Sequence, residues 1–133
     1  MRRVLTVGVF DYLHIGHVNF LKYAKELGDY LIVAVQVSEM VNRYKPDAVL
    51  LYGTNERIFM VGSLRYVDKV VTYEAVDEIV KSIDFDVFAM GPDQNHAGFQ
   101  RAMEWCKKHG KEIVVIPRTE GISSSQLRMD NEK

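Results

Sequence analysis

Residues 4–17 read Val4-Leu5-Thr6-Val7-Gly8-Val9-Phe10-Asp11-Tyr12-Leu13-His14-Ile15-Gly16-His17. The first six of them are β-branched and almost continuously apolar, which predicts a strand buried on both faces of a parallel sheet. Gly28 stands where the C-cap of a following helix is expected. The helix itself is indicated by apolar residues at helical spacing, namely Phe20, Ala24 and Leu27. The stretch therefore predicts a strand, a turn that carries two histidines, and the start of a helix.

Four further short apolar runs alternate with helical patterns along the rest of the chain. We expect strands over 31–35, 67–72, 87–90 and 113–116, and helices over 58–64, 76–83 and 99–106. Two segments, 38–53 and 91–98, fit neither pattern and are predicted to be irregular. Because strands that alternate with helices favour right-handed crossovers, the pattern predicts an α/β fold. The expected architecture is a Rossmann-like open parallel sheet of about five strands, with helices on both faces.

The chain has 133 residues, and this length predicts a single domain over 1–133. Its net charge of −1 excludes a polycation built to neutralise nucleic acid, so no nucleic-acid partner is expected. Its one cysteine, Cys106, excludes an internal disulfide and favours a reducing compartment. No apolar run approaches the ~20 residues of a membrane span, and the N-terminal run lacks a cleavage site. We therefore expect a cytoplasmic protein without a membrane partner.

Two of the four histidines, His14 and His17, flank Gly16 at the predicted start of the first helix. Unpaired backbone N–H groups and the helix dipole attract an anion there, and a glycine lets a phosphate approach the backbone. Two other interpretations stay open. A histidine can simply cap a helix, and two histidines three residues apart can form half of a metal site, although no third ligand is evident. The position directly after a buried strand favours a polyphosphate site.

A second candidate segment, 117–128, follows the last predicted strand and contains Arg118, Gly121 and three serines. The serines are typical of an ordinary helix N-cap. The functional interpretation is a second helix start whose hydroxyl groups and arginine face the same anion as the histidines. The carboxyl ends of parallel strands share one edge of a sheet, where ligands bind in open α/β folds.

Three motifs stand in order along the chain: Gly8-x-Phe10-Asp11-x-x-His14-x-Gly16-His17, Arg65-Tyr66-Val67-Asp68 and Arg118-Thr119-Glu120-Gly121-Ile122-Ser123-Ser124. Together they resemble the small bacterial cytidylyltransferases of the glycerol-3-phosphate type, over almost the whole chain. The first motif is also similar to the signature of class I aminoacyl-tRNA synthetases, which belong to the same superfamily. The chain is too short for a tRNA-binding apparatus, however, and lacks the lysines of the second synthetase signature.

The resemblance implies that CMP is transferred from CTP to a small phosphorylated acceptor, with release of pyrophosphate. The acceptor would be glycerol 3-phosphate or a related precursor of a surface polymer or capsule. No general base is needed, because the acceptor phosphate is already anionic. Mg²⁺ is expected on the leaving pyrophosphate, held by substrate oxygens and not by protein ligands. A homodimer is expected from the resemblance alone.

The resemblance also assigns roles to individual residues. It places His14 and His17 at the phosphates near the α-phosphorus and Arg118 on the triphosphate. Lys45 lies in a segment from which the family supplies lysines to the acceptor or the triphosphate. Asp11 would orient the loop or support a histidine. Further nucleotide-binding residues are implied to be Val9, Phe10, Gly16, Gly91, Asp93, Thr119, Gly121, Ile122, Ser123 and Ser124.

Arg65 and Asp68 match a family segment tied to the dimer contact and to the active site. The simpler interpretation of this pair is a surface ion pair. Either way, the two residues are candidates for support of the site and not for its chemistry.

The segment 91–98 departs from the family pattern. Asp93 matches a family carboxylate, but the preceding acid, a tryptophan and a lysine are missing. His96 is an addition, for which a solvated side chain is the favoured interpretation. Because the base and the acceptor can both be read by this segment, two alternatives stay open. One is an ATP-dependent adenylyltransferase acting on a phosphorylated cofactor or sugar, and the other is a non-catalytic nucleotide-binding module.

Overall fold

The computed structural model describes residues 1–118. The strands of this part are β1 (Arg3–Gly8), β2 (Tyr30–Gln36), β3 (Lys69–Tyr73), β4 (Val87–Met90) and β5 (Glu112–Val115). They form one parallel sheet in the order β3-β2-β1-β4-β5. The helices are α1 (Ile15–Glu26), α2 (Ser38–Tyr44), α3 (Thr54–Gly62), α4 (Val76–Ser82) and α5 (Ala97–Lys108). In this range no helix has the length and apolarity that crossing a membrane requires.

The sheet is buried on both faces, which explains the unbroken apolar runs of its strands. On one face, α1 and α3 contribute Leu21 and Val61 to a core that includes Val33 of β2. On the other face, α4 and α5 contribute Val80 and Phe99 to a second core around the central strands. The predicted Rossmann-like parallel sheet with helices on both faces is therefore confirmed.

The central strand β1 is the point where the strand order reverses. From β1 the chain crosses to β2 on one side, whereas β4 pairs with β1 on the other side. A crevice forms beyond the carboxyl ends of the strands at such a switch point, and ligands bind there in open α/β sheets. The fold thus places the segment after β1 at the centre of this edge.

The segment 38–53 was expected to be irregular throughout, and this was wrong for its first half. Residues Ser38–Tyr44 form α2, whose Val41 is 4% exposed. Glu39 and Arg43 sit four residues apart on its exposed side, at 3.5 Å. The helix is only two turns long, so its apolar face is too short to produce a recognisable periodicity.

Gly28 was expected to be a C-cap, but Leu27 takes that position with an ordinary right-handed conformation. The glycine is required instead by a close approach of the chain. A Cβ atom at Gly28 would lie 2.6 Å from the carbonyl oxygen of Arg2 and 2.9 Å from Cγ2 of Val4. The absence of a side chain at Gly28 therefore lets the start of β1 pack against the connection between α1 and β2.

Gly28→Ala is expected to lower the free energy of unfolding by about 1–3 kcal/mol, because the backbone carbonyl of Arg2 has to move. The matched control is Gly62→Ala, whose Cβ would meet Cγ2 of Val70 at an ordinary 3.4 Å. Urea denaturation of both variants measures the difference. Equal stabilities for the two variants would contradict the packing role of Gly28.

Candidate active site

A cleft of about 820 Å³ opens at the carboxyl edge of the sheet. Its walls are the loop after β1, the starts of α1, α4 and α5, the end of α2, and the residues that follow β4 and β5. The structure brings ten predicted site residues to this cleft: Val9, Phe10, Asp11, His14, Gly16, His17, Lys45, Gly91, Asp93 and Arg118. The other predicted nucleotide-binding residues lie outside the described residues: Thr119, Gly121, Ile122, Ser123 and Ser124.

The two histidines close the start of α1 by capping it reciprocally. His14 is the N-cap residue, and its Nδ1 accepts a hydrogen bond of 2.9 Å from the backbone N–H of Gly16. The Nδ1 of His17 accepts one of 3.1 Å from the backbone N–H of His14. This is the geometry of a capping box, with imidazole nitrogens in place of the usual hydroxyl and carboxylate oxygens.

The reciprocal cap fixes the tautomer of both rings. Because each Nδ1 accepts a hydrogen bond, the proton of each neutral imidazole is on Nε2. Burial lowers the pKa of His14. Burial, helped by the neighbouring His14, lowers the pKa of His17 to about 4, although Asp11 acts in the opposite direction. The two rings, with centroids 4.1 Å apart, are therefore neutral Nε2–H donors near pH 7.

The depressed pKa of His17 predicts a dependence of stability on pH. In the unfolded chain a histidine takes up its proton near pH 6.5, whereas folded His17 does so only near pH 4. As the pH falls from 6.5 to 4, His17 binds a proton in the unfolded state but not in the folded state. The wild-type protein therefore loses up to about 3 kcal/mol of its free energy of unfolding in this window, and keeps that contribution above pH 6.5.

The control for this effect is His17→Gln, since a glutamine at the same position can complete a capping box without titrating. The free energy of unfolding of both proteins is measured by urea denaturation between pH 7.5 and pH 4. The difference, wild type minus variant, is expected to shrink as the pH falls. A difference that stays constant across the window would contradict the depressed pKa.

A tight turn after β1 brings a carboxylate beneath the histidines. Phe10 and Tyr12 adopt left-handed backbone conformations, with φ of 57° and 51°. Between them, Asp11 is only 4% exposed and accepts hydrogen bonds from the backbone N–H groups of Leu51 (2.8 Å) and Tyr52 (3.0 Å). Asp11 thus joins the turn after β1 to the loop that precedes α3.

Arg57 is a residue of this site that the sequence reasoning missed. Its side chain is fully buried. Its Nη1 donates at 2.8 Å to the carbonyl oxygens of both Val9 and Gln36, which follow β1 and end β2. Its Nη2 donates to Oγ of Ser38 at 2.8 Å, and its Nε donates to the carbonyl oxygen of Tyr52 at 3.2 Å. One guanidinium therefore links two strand ends to the segments around α2 and α3.

Arg57 also places a positive charge under the floor of the site. Burial lowers its pKa, while the neighbouring Asp11 and Tyr73 raise it. A guanidinium stays protonated in proteins nonetheless. The signal in the sequence is positional: Arg57 begins the spacing of four and three that continues through Val61 and Leu64, so it belongs to the buried face of α3.

Two of the cationic side chains that line the cleft on other segments are predicted site residues. Lys45 is the C-cap residue of α2 and is exposed. Arg118 follows β5 and forms an ion pair of 2.7 Å with Asp93, in which the two side chains are 60% and 64% exposed. Exposed pairs of this kind contribute little to stability, so an incoming polyphosphate can take over Arg118.

The amide side chain of Gln94 joins the start of the segment after β4 to β1. Gln94 accepts a hydrogen bond of 3.0 Å from the backbone N–H of Gly91 through Oε1 and donates one of 2.9 Å to the carbonyl oxygen of Val7 through Nε2. His96 was expected to be merely solvated. It is exposed, but it also caps α5, because its Nδ1 accepts a hydrogen bond of 3.1 Å from the backbone N–H of Gly98.

Arg65 and Asp68 lie at the opposite edge of the sheet, in the connection that enters β3. Asp68 pairs with Lys25 near the end of α1 and accepts a hydrogen bond of 2.8 Å from the backbone N–H of Leu31. The ion pair of Asp68 is with Lys25 and not with Arg65, and the residues that line the cleft include neither Arg65 nor Asp68. The proposed dimer contact at this segment stays a prediction.

Comparison with known proteins identifies the family of this chain. A family model described as cytidylyltransferase-like matches residues 5–130. The chain belongs to the cytidylyltransferase-like family. It is 37% identical to the glycerol-3-phosphate cytidylyltransferase of Staphylococcus aureus, covering 98% of this chain and 95% of that protein. It is also 44% identical to the FAD synthase of Thermococcus kodakarensis, covering 86% of this chain and 79% of that protein.

A solved structure shares the fold over most of both chains. It is a lipopolysaccharide core biosynthesis protein from Thermoplasma volcanium, 26% identical with a TM-score of 0.72, covering 90% of this chain and 97% of that one. The chain is accordingly an enzyme of the nucleotidyltransferase class, and the alternative of a non-catalytic module is set aside.

Proposed function

We propose that this cytidylyltransferase-like enzyme transfers CMP from CTP to a small phosphorylated acceptor, such as glycerol 3-phosphate or a related precursor of a surface polymer or capsule. The observation that carries the proposal is the pair of Nε2–H donors of His14 and His17, held rigid by the reciprocal cap beside a cleft that also contains Lys45 and Arg118. This is a set of donors suited to a triphosphate. The identity with the staphylococcal cytidylyltransferase over nearly the full length of both chains supports the choice of CTP.

In the proposed reaction, an anionic oxygen of the acceptor phosphate attacks the α-phosphorus of CTP in line with the leaving group. A new P–O bond forms, the bond from the α-phosphorus to the bridging oxygen breaks, and that oxygen leaves with the electron pair as pyrophosphate. No proton has to be removed from the acceptor. The protein therefore contributes alignment and stabilisation of the charge that develops on the α-phosphate.

Each charged group of the substrates has a suitable partner in this scheme. The imidazoles of His14 and His17 donate to the oxygens of the α-phosphate, where negative charge increases in the transition state. Arg118 leaves Asp93 and neutralises the β- and γ-phosphates, and Lys45 guides either the acceptor or the triphosphate. Because both imidazoles are neutral near pH 7, they serve as hydrogen-bond donors and not as proton carriers.

The nucleotide is proposed to enter as its magnesium complex. Residues 1–118 contain no group of three or more His, Cys, Asp or Glu side chains that could hold a metal ion. The side chains named above for the cleft donate hydrogen bonds or carry positive charge, so they suit the phosphates and not the metal ion. The ligands of Mg²⁺ would then be oxygens of the phosphates. The ion would neutralise charge on the departing pyrophosphate.

A second candidate is adenylyl transfer from ATP to a phosphorylated cofactor or sugar. Two observations favour it. The chain is 44% identical to the Thermococcus FAD synthase, and the segment 91–98 lacks the acid, tryptophan and lysine of the glycerol-3-phosphate enzymes. Because the proposed phosphate chemistry is the same in both cases, only the base and the acceptor separate the two candidates.

The deciding experiment is a panel of CTP, ATP, GTP and UTP against glycerol 3-phosphate, ribitol 5-phosphate and FMN. Release of pyrophosphate is measured, and mass spectrometry identifies the product. The proposal expects release with CTP and a polyol phosphate, giving a CDP-linked product. FAD formed from ATP and FMN, without turnover of CTP, would replace the first candidate by the second.

We also propose that the enzyme acts as a homodimer in the cytoplasm, where its nucleotide donors occur. Large apolar side chains on the surface support a partner copy: Phe59 is 75% exposed, Ile15 55% and Leu51 49%. Sedimentation velocity of the full-length protein measures its mass. A monomer at every concentration up to that of the turnover assay would contradict the proposal.

A further inference from the structure

The cleft extends beyond the histidines of α1 to a second polar wall, formed by three separate elements. Lys45 stands at the end of α2, Asp77 in the first turn of α4, and His96 and Arg101 at the start of α5. Neither the reaction proposed above nor the family motifs use Asp77, His96 or Arg101. These three side chains are therefore candidates to contact a further part of a substrate.

Arg101 is held by one ion pair but keeps most of its donors available. Its Nε donates to Oδ2 of Asp77 at 2.9 Å, and the side chains are 61% and 21% exposed. Within residues 1–118 no protein acceptor engages its Nη1 or Nη2. The ion pair thus fixes the direction of the guanidinium, and no acceptor of the described part of the chain occupies its two outer amino groups.

His96 is fixed in the same way as His14. Its Nδ1 accepts the hydrogen bond from the backbone of Gly98, so that the proton of the neutral ring is on Nε2. The ring also packs edge-to-face on Phe99, with centroids 4.6 Å apart. A Cβ atom at position 98 would lie 2.9 Å from Cε1 of His96, so the glycine leaves the room that the ring occupies.

These groups are also electrostatic neighbours. Burial lowers the pKa of His96, and the positive charges of Lys45 and Arg101 lower it further, whereas Asp77 raises it. The wall therefore presents an ammonium, a guanidinium and a neutral Nε2–H donor around one carboxylate. The set is rich in donors, and the carboxylate of Asp77 adds a hydrogen-bond acceptor to it.

We propose that His96, Arg101 and Asp77 form the subsite that holds the hydroxyl-bearing end of the acceptor. The inference rests on the proposed function, because it assumes that the acceptor's phosphate lies beside His14 and His17. A hydroxyl group both accepts from the donors and donates to the carboxylate, which matches this wall. An acceptor without hydroxyl groups at its far end would leave these groups unpaired and lose affinity. The acceptor is thereby assigned to the polyol or sugar phosphates.

The test compares acceptors that differ in their hydroxyl groups. Calorimetry measures the binding of glycerol 3-phosphate, ribitol 5-phosphate and n-propyl phosphate to the protein saturated with a non-hydrolysable CTP analogue. The wild-type protein is expected to bind the better polyol phosphate at least tenfold more tightly than n-propyl phosphate, since each hydrogen bond to a substrate hydroxyl contributes about tenfold. Equal binding of the polyol phosphates and n-propyl phosphate would overturn the subsite.

Two conservative variants connect the preference to the named residues. His96→Asn keeps a side-chain cap for α5 but loses the Nε2–H, and Arg101→Lys keeps a cation beside Asp77 but loses Nη1 and Nη2. Each is expected to reduce the preference about tenfold without changing the affinity for the CTP analogue. Lys107→Met, in the last turn of the same helix, is the control and should leave the preference unchanged.

Binding and turnover are read separately, so that the two proposals can fail independently. A full preference that persists within twofold in both variants would overturn the subsite, even if the enzyme turns over. A preference for the polyol phosphate over n-propyl phosphate that the wild type shows and both variants lose would support the subsite. If this result is obtained and pyrophosphate is not released with any acceptor, the proposed function fails and the subsite stands.

Discussion

Replacing His14 by asparagine is expected to lower kcat by about 10²–10³, because a fixed donor to the developing charge of a transition state contributes about this much. Asparagine is a good N-cap residue, so its side-chain oxygen can still accept the hydrogen bond from Gly16. What the variant lacks is the Nε2–H that we propose donates to the α-phosphate. The variant should therefore fold normally and bind the nucleotide within a few-fold of the wild-type affinity.

Three measurements separate this loss of chemistry from a loss of structure. Pyrophosphate release with the best substrate pair gives kcat, calorimetry gives nucleotide affinity, and urea denaturation gives stability. His14→Ala removes the cap as well, and should cost a further ~1 kcal/mol of stability on top of the same loss of rate. His109→Asn is the matched control at the opposite edge of the sheet. If His14→Asn keeps more than a tenth of wild-type kcat, the donor role is wrong.

Replacing Arg57 by methionine is expected to lower the free energy of unfolding by about 3–5 kcal/mol, because several buried acceptors lose their donor at once. The carbonyl oxygens of Val9, Gln36 and Tyr52 would each need a new partner. A domain of this size has a total stability of ~5–15 kcal/mol, so the change is a large part of it. Arg57→Lys keeps the charge but has no fork of donors, and should recover only part of the loss.

The control is Arg43→Met on α2, where the arginine makes an exposed pair with Glu39. An exposed pair of this kind contributes ~0–1 kcal/mol. Urea denaturation at pH 7 compares the three variants with the wild type. If Arg57→Met is as stable as Arg43→Met, the guanidinium does not hold the strand ends together. A second readout is limited proteolysis of the loop before α3, which should be cut faster in Arg57→Met.

The sequence predicts the sheet well because a strand that is buried on both faces is apolar at successive positions. A strand such as Leu31 to Val35 is apolar at every position, and this signal needs no knowledge of its neighbours. The cluster of His14, His17, Lys45 and Arg118 could also be placed at one edge, because parallel strands all end there. The buried residue that escaped prediction is one whose contacts are non-local.

Arg57 illustrates this limit. A charged residue on an amphipathic helix is usually solvated, and its burial depends on carbonyl groups that the strand ends of β1 and β2 supply. The reciprocal cap of His14 and His17 is similar, since the spacing predicts a helix start but not which ring nitrogen the backbone uses. The prediction that His96 is solvated has a similar limit. Its charged neighbours Lys45 and Asp77 come from α2 and α4, and the sequence around His96 does not show them.

Because all strands of the sheet are parallel, the molecule has a carboxyl edge and an amino edge, and insertions are better tolerated at the amino edge. The cleft occupies the carboxyl edge, and at the other edge the helices return to strands through the short connections 27–29, 63–68, 83–86 and 109–111. A fluorescent label or an affinity peptide inserted at 109–111, where Gly110 already turns the chain with φ of 70°, would sit at the opposite end of the strands from the cleft.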